Sequence, residues 1–208
     1  MPFDLWLAFV AASTALLLIP GPTVLLVLSY ALSQGKRVAV ASATGVALGD
    51  LIAMSASLAG LGALVLTSAM LFTALKWIGA VYLIWLGIKL LRAPAASGLE
   101  AQATPDANAR HVFFHAATVT ALNPKSIAFF IAFVPQFVRL DAPLLPQFAI
   151  LTATFVGLAA INALAYALAA DRLRQTIRRP GVITWLTRAG GAALVAMGVL
   201  TATLRRSA

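Results

Sequence analysis

Residues 16–28 read Leu-Leu-Leu-Ile-Pro-Gly-Pro-Thr-Val-Leu-Leu-Val-Leu, and the apolar run around them extends over about residues 5–33. Such a run is longer than the roughly 20 residues that a helix needs to cross a bilayer. Pro20 and Pro22 remove two backbone donors from its centre, and Gly21 between them adds flexibility, so a regular helix cannot pass through unbroken. This stretch therefore predicts a membrane-spanning helix that is interrupted in its middle.

The rest of the chain has the same apolar character. Hydrophobic residues make up 62% of the 208 positions and charged residues 10%, against about 25% charged residues in an ordinary soluble domain. Six apolar runs are long enough to span a bilayer: 5–33, 38–66, 70–91, 112–137, 144–170 and 183–204. We therefore expect an all-α membrane protein of six transmembrane helices, with one transmembrane domain over residues 1–208.

The composition and motifs exclude several classes of function. The chain has no cysteine, which excludes disulfides, thiolate metal sites and a redox pair. Its formal charge of +9 could suggest nucleic acid, but the basic residues sit in short segments between apolar runs, as membrane topology requires. The sequence motifs of hydrolases, zinc proteases and phosphate-binding loops are absent. We expect no cofactor, no metal, no catalysis and no nucleic-acid partner.

One long polar connector, residues 93–110, divides the chain into the segments 1–92 and 111–208, each with three apolar runs. Loops on the cytoplasmic side carry an excess of Lys and Arg. Here these residues cluster after the first run, around the connector and around the fifth connection: Lys36, Arg37, Lys89, Arg92, Arg110, Arg172, Arg174, Arg178, Arg179 and Arg188. This distribution predicts that both termini lie outside, although Arg205 and Arg206 in the tail oppose that orientation.

The two segments repeat one another. Pro20 in the first run and Pro124 in the fourth are 104 positions apart, and Asp50 in the second run matches Asn162 in the fifth at a separation of 112. Because each triplet contains an odd number of spans, the second enters the membrane from the opposite side, which makes the repeat inverted. Two inverted three-helix repeats favour alternating access around a central site.

Asn123-Pro124-Lys125 reads as the start of a helix inside the fourth run, since Asn is favoured at the N-cap and Pro at the first helical position. Such a half-helix points its positive end at the membrane interior, where it suits a carboxylate. Lys125 opposes the helix dipole, so we expect an anion nearby, either a substrate carboxylate or Asp50. At the interruption of the first run, Pro20-Gly21-Pro22, a simple packing kink is the structural alternative.

Asp50 lies about 12 residues, or roughly 18 Å, into the second run, at a depth similar to that of Pro20 and Lys125. A central Asp or Lys costs about 2.5–3.5 kcal/mol on insertion scales, so both side chains should face the interior. Asp50 could bind a substrate amino group or carry a proton, and a structural ion pair with Lys125 is the alternative. Asn162 is a weaker candidate, because its amide suits a structural hydrogen bond nearly as well.

Two further patterns have mainly structural interpretations. Gly45 and Gly49, four residues apart, favour close helix packing in the membrane. His111 and His115 share one helix face and could hold a metal, but no Cys, Asp or Glu lies within a turn of them. We therefore interpret the two histidines as a pair at the membrane interface.

Taken together, these residues give the chain a resemblance to the LysE/RhtB superfamily of bacterial amino-acid exporters. The similarity covers nearly the whole length and rests on four segments: Pro20-Gly21-Pro22, Gly-Val-Ala-Leu-Gly-Asp at 45–50, Lys76 to Arg92, and Asn123-Pro124-Lys125. The resemblance implies efflux of amino acids or related metabolites across the bacterial inner membrane, driven by the proton gradient, and it allows a homodimer. By position it nominates Pro20, Gly21, Pro22, Asp50, Asn123, Pro124 and Lys125 as site residues.

The sequence therefore predicts a secondary transporter in which the broken first and fourth spans form a midplane site for a small amino-acid-like substrate and a proton. Two other classes stay open. A membrane scaffold or assembly factor would tolerate Asp50→Asn and Lys125→Ala. An intramembrane enzyme would use His111, His115 and Asp50.

Overall fold

The structure is helical throughout its described residues. The computed structural model describes residues 1–18, 22–34, 36–92, 108–169 and 180–203, and for some residues within the helices the backbone alone. No strand occurs within those ranges, which confirms the all-α prediction. In chain order the helices are α1 (Phe3–Leu17), α2 (Pro22–Gln34), α3 (Lys36–Thr67), α4 (Ala69–Leu91), α5 (Ala109–Ala121), α6 (Pro124–Phe133), α7 (Leu144–Leu168) and α8 (Pro180–Thr203), with a 3-10 turn after α6 at Val134–Phe137.

The fourth apolar run is broken at the predicted position. Helix α5 ends at Ala121 and α6 begins at Pro124, and the helix axes on the two sides are bent by 48°. Pro124 has no backbone N–H, so the preceding helix cannot continue through it. The Asn123 carbonyl accepts a hydrogen bond from the Ile127 N–H at 3.1 Å, which makes Asn123 the N-cap of α6.

The first apolar run also contains two helices, α1 and α2. The last turn of α1 closes with a hydrogen bond from the Leu18 N–H to the Thr14 carbonyl at 3.0 Å. Pro22 is the first residue of α2, the helical position that proline favours. Pro20 and Gly21 of the predicted interruption lie outside the described residues, as does the side chain of Pro22.

Helices α3 and α5 run parallel with their backbones in contact. A Cβ atom added at Gly49 would lie 2.6 Å from the Ala117 carbonyl oxygen and 2.6 Å from the Thr120 Cβ atom, and one added at Gly45 would overlap the Phe113 carbonyl oxygen. The predicted packing role of this glycine pair is therefore confirmed, because no larger residue fits at either position.

Helices α1 and α7 also run parallel, but side-chain hydrogen bonds join them. Trp6 Nε1 donates to Thr154 Oγ1 at 3.1 Å, and Asn162 Nδ2 donates to the Leu17 carbonyl at 2.9 Å. A Cβ atom added at Gly157 of α7 would meet nothing within 4 Å. This glycine is therefore not a packing residue.

These directions give the bundle two distinct ends. The exposed side chains of Arg37, Arg92 and Arg110 lie at one of them, called the basic end from here on. The α3–α4 connection at Ser68 and the turn that holds Asp141 lie at the other, called the distal end. The described residues that flank the predicted cytoplasmic connections before α3 and before α5 therefore lie at a single end of the bundle.

The distal turn between α6 and α7 is fixed by one buried amide. Gln147 is 2% exposed, and its Oε1 atom accepts from the Arg139 N–H at 2.9 Å. Its Nε2 atom lies 2.9–3.1 Å from the carbonyl oxygens of Arg139, Ala142 and Pro143. The side chain thereby substitutes for the backbone partners that an irregular turn lacks.

The apolar interior differs between the two ends. The distal core is rich in phenylalanine, and Phe9 contacts Phe133 and Phe137 with ring centroids 5.5 and 5.1 Å apart. The basic-end core is built mainly from small residues: Val27, Ala31, Ala39, Ala43, Ala116, Ala163 and Ala167. The two helix breaks lie between the distal core and the basic-end core.

The lengths of the helices agree with a membrane protein. Two described segments, Arg37–Ala63 and Leu144–Leu168, are each long and apolar enough to cross a bilayer, and the bent pair α5–α6 makes a third when it is counted as one span. Large apolar side chains of α4 point outward: Trp77, Ile78, Val81, Trp85 and Ile88. The full count of six spans stays a prediction.

Candidate functional site

A cavity of about 110 Å³ lies in the middle of the bundle, beside the breaks of the first and fourth runs. Five polar side chains from α2, α3, α6, α7 and the α5–α6 break line it: Thr23, Asp50, Asn123, Ser126 and Asn162. Most of the remaining wall is aliphatic, with three phenylalanine rings at one side. Residues from both triplets of apolar runs thus line one partly open cavity whose wall is mostly apolar.

Asp50 is placed on this wall by the close packing of α3 on α5. It follows Gly49 directly, and its side chain is 7% exposed. No hydrogen bond or ion pair joins it to any side chain that the structure describes. An unpaired carboxylate away from water is costly, so this group requires either a bound proton or a cationic ligand.

Asn123 and Ser126 bring the start of α6 to the same cavity. The first N–H groups of a helix lack intrahelical partners and carry partial positive charge. An acceptor such as a carboxylate is therefore favoured on this side of the space. Lys125 belongs to the first turn of α6, but its side chain lies outside the described residues.

Asn162 and Tyr166 of α7 satisfy the end of α1. Asn162 Nδ2 donates to the Leu17 carbonyl at 2.9 Å, and the Tyr166 hydroxyl donates to the Leu18 carbonyl at 3.2 Å. A helix that stops inside a bilayer leaves carbonyls without partners, and these two side chains supply them. Asn162 therefore makes a structural hydrogen bond, which the sequence analysis gave as its alternative role. It also lines the cavity.

Three of the residues predicted from sequence come together at this cavity, namely Asp50, Asn123 and Asn162. Of the others, Pro20 and Gly21 lie outside the described residues, and Pro22, Pro124 and Lys125 are described by their backbone alone. The sequence analysis did not identify several residues with a role at the cavity: Thr23, Ser126, Tyr166, Phe129, Phe130 and Phe155. The N-terminal residues of α2 and α6 could have been proposed from their position beside the prolines, whereas nothing in the sequence distinguishes these rings from the remaining phenylalanines.

His111 and His115 do not line the cavity. His115 Nδ1 lies 2.9 Å from the Tyr30 hydroxyl, and its ring stacks on His111 with centroids 6.4 Å apart. Within the described part of the chain, no group of three metal-ligating side chains occurs. The pair links α2 to α5 near the basic end, and the structure does not bring it together with Asp50 as the enzyme alternative requires.

Comparison with known proteins indicates a membrane transporter, which is the class of function predicted from the sequence. The family model described as LysE type translocator matches residues 14–205. The chain is 36% identical over 207 residues to the homoserine/homoserine lactone efflux protein of Salmonella typhimurium, with 100% of both chains covered. It is 34% identical over 206 residues to an uncharacterized membrane protein of Vibrio cholerae, covering 99% of this chain and 100% of that one.

A more distant relative is the leucine efflux protein of Klebsiella pneumoniae, which is 31% identical over 140 residues, or 66% of this chain and 65% of that protein. No solved structure matches the chain. The family match spans the interruptions of both broken runs and every residue that lines the cavity. The chain therefore belongs to the LysE type translocator family and is a membrane transporter rather than an enzyme.

Proposed function

We propose that this translocator exports small amino-acid-like solutes across the bacterial inner membrane by alternating access, with Asp50 binding the solute's amino group and exchanging it for a proton. The observation that carries the proposal is the cavity itself. It combines one unpaired buried carboxylate with the amide groups of Asn123 and Asn162, at the level where two apolar runs are interrupted.

The size of the cavity allows a small solute once the site opens. A cavity of about 150 Å³ holds benzene, so the 110 Å³ here is less than a whole amino acid needs, and we expect the site to widen during the transport cycle. The efflux proteins similar to this chain are named for homoserine, homoserine lactone and leucine.

The chemistry of the lining suits a zwitterion. Asp50 is an acceptor for the ammonium group, and a charge-assisted hydrogen bond of this kind is strong in a low dielectric. The N–H groups at the start of α6, together with Asn123 and the cation of Lys125, would receive the carboxylate. When the solute leaves, Asp50 takes up a proton rather than remain charged without a partner.

The arrangement of the helices supports two inverted repeats over residues 1–92 and 111–208, joined by the connector 93–110. Helix α5 of the second repeat runs parallel to α3 of the first, and α1 of the first runs parallel to α7 of the second. Gly49 contacts the end of α5 at Ala121, and Asn162 contacts the end of α1 at Leu17. Leu17 and Ala121 are 104 positions apart, like the two prolines.

The orientation follows from charge. Exposed basic side chains mark the end of the bundle that holds the connections before α3 and α5, and we assign this end to the cytoplasm and both termini to the outside. The distal end then faces the periplasm. The homodimer that the family resemblance allows stays a prediction.

Counterflow in proteoliposomes tests the proposal. Proteoliposomes that contain the purified protein are loaded with unlabelled leucine or homoserine. Entry of the labelled solute is then followed with and without an imposed pH gradient. We expect counterflow by the wild type and a response to the gradient, and we expect Asp50→Asn to lose both, because the amide has a similar shape but cannot hold a proton or pair with an ammonium group.

Asp4→Asn is the matched control, since Asp4 is an exposed acid in the first turn of α1 and should transport like the wild type. Size-exclusion chromatography confirms that both variants fold. Wild-type rates in Asp50→Asn, or no counterflow of any amino acid by the wild type, would contradict the proposal.

A further inference from the structure

The two sides of the cavity differ in chemistry along the helix axes. Asn123 and Asn162 lie at the level of the helix breaks, whereas Phe129 and Phe155 lie six and seven residues away towards the distal end. At 1.5 Å per residue this displacement is about 9–10 Å. The cavity is therefore long enough to hold a solute with its charged head at the breaks and its side chain among the rings.

Three phenylalanines form this distal wall, called the aromatic cup from here on: Phe129, Phe130 and Phe155. They are 3%, 1% and 3% exposed. Phe130 meets Phe155 edge to face, with centroids 4.9 Å apart and planes at 88°, and Phe129 lies 6.1 Å from Phe130. Rings in these arrangements stabilise one another, so the cup has a defined shape.

The cup is supported from behind by the distal core. Phe129 stacks on Phe133 with centroids 4.5 Å apart, and Phe133 packs on Phe137 at 4.8 Å. A close-packed interior resists expansion. The cup therefore cannot enlarge at low cost to admit a bulkier side chain.

The cup also offers no partner to a second charge. Among the described residues that line the cavity, Asp50 is the single ionisable side chain, and it lies at the level of the breaks. A lysine or glutamate side chain extended into the cup would bring a charge among aromatic rings, with no counter-ion among the described residues of its wall. Burying such a charge is strongly unfavourable.

Building on the proposed function, we propose that the aromatic cup selects the solute by its side chain. It accepts uncharged aliphatic side chains up to about the size of leucine, and it excludes dibasic amino acids, acidic amino acids and those with an indole ring. Phe155 and Phe130 are the residues that set this limit, because their two rings, in edge-to-face contact, line its distal wall.

Competition against labelled leucine counterflow tests this specificity in the full-length protein. For the wild type, unlabelled leucine, valine and homoserine should compete, while lysine, glutamate and tryptophan should not. Phe155→Leu and Phe155→Ala remove the ring that closes the cup, so phenylalanine and tryptophan should gain at least about tenfold relative to leucine as competitors, which is the usual effect of a changed apolar pocket.

Phe148→Leu and Phe148→Ala are the matched controls. Phe148 lies in α7 about two turns before Phe155 and packs, partly buried, against the distal core, but it does not line the cavity. Loss of its ring should lower protein stability and leave the order of competitors unchanged. Two results would overturn the proposal that the aromatic cup selects the solute while the transport proposal stands. One is an equal change in the order of competitors at both positions, and the other is wild-type transport of lysine or glutamate at the rate of leucine. Absence of all counterflow would overturn both.

Discussion

Two helix pairs with equivalent directions are held together in opposite ways. In α3–α5 the backbones touch, since Gly45 and Gly49 leave no room for a side chain between the helices. In α1–α7 hydrogen bonds from Trp6, Asn162 and Tyr166 connect the helices, and Gly157 of α7 is exposed and takes no part in the contact. The first pair depends on shape and the second on a few polar contacts.

The difference indicates which pair can move. Close packing over two helix turns is lost as a unit when the helices separate. Hydrogen bonds between membrane helices contribute about 0.6 kcal/mol on average, so three of them can exchange partners at modest cost. We therefore expect α3 and α5 to move as one body that carries Asp50, and α1 to shift relative to α7 during transport.

The largest effect should come from filling the α3–α5 contact. In Gly49→Ala the new methyl group would meet the Ala117 carbonyl oxygen and Thr120, and overpacking of this kind costs about 1–3 kcal/mol. The free energy of unfolding can be measured by titration with a denaturing detergent. Gly157→Ala is the control and should be neutral or stabilising by up to about 1 kcal/mol, because its methyl group enters open space. Similar losses in both variants would show that the loss at Gly49 does not come from the α3–α5 contact.

A smaller effect is expected at the α1–α7 contact. Asn162→Leu keeps the volume but leaves the Leu17 carbonyl without its donor, at a cost of about 1–2 kcal/mol. Tyr166→Phe, which deletes one hydroxyl, should cost less, about 0.6 kcal/mol. Asn162→Leu should also impair counterflow more than Tyr166→Phe does, because Asn162 lines the cavity. A larger stability loss in Tyr166→Phe would show that the Leu18 carbonyl is the main anchor instead.

The smallest effect should occur in the turn before α7, outside both contacts. Arg139 Nε donates to Asp141 Oδ1 at 2.9 Å, and this hydrogen bond, with the charge of the guanidinium, holds the pKa of the Asp141 carboxyl below its ordinary value. The pair stabilises the folded state above that ordinary value, and this stabilisation is lost as the pH falls through the lowered pKa.

Asp141→Asn should therefore lower the melting temperature slightly at pH 7 and match the wild type once the pH is below the lowered pKa. Both side chains of the pair are exposed, so salt should weaken the difference further. A clear difference that persists in acid would point to a role for Asp141 other than this ion pair.

The helix break at Asn123 and the packing of Gly45 and Gly49 were predictable, because each follows from a local rule. A proline stops a helix wherever it stands, and two glycines one turn apart mark a close contact. The intramembrane position of Asp50 was equally clear from its distance into the run. Local chemistry thus identified three elements of the site.

The cup and the Tyr166 contact were not predictable, and the reason is physical. In a soluble helix, polarity separates the inner face from the outer one, but in a membrane helix both faces are apolar. The exposed Phe114 and the buried Phe130 therefore look alike in sequence. The bond from Tyr166 to Leu18 joins segments 148 positions apart, and no local rule sets that register.

The buried amide of Gln147 has a consequence for how motion is transmitted. It bonds to the backbone of Arg139, Ala142 and Pro143 at once, so this segment is held rigidly on the first turn of α7. We therefore expect the segment and α7 to move as one body. Asn162, further along α7, would then approach or leave Asp50 as that body tilts, and the width of the cavity would change accordingly.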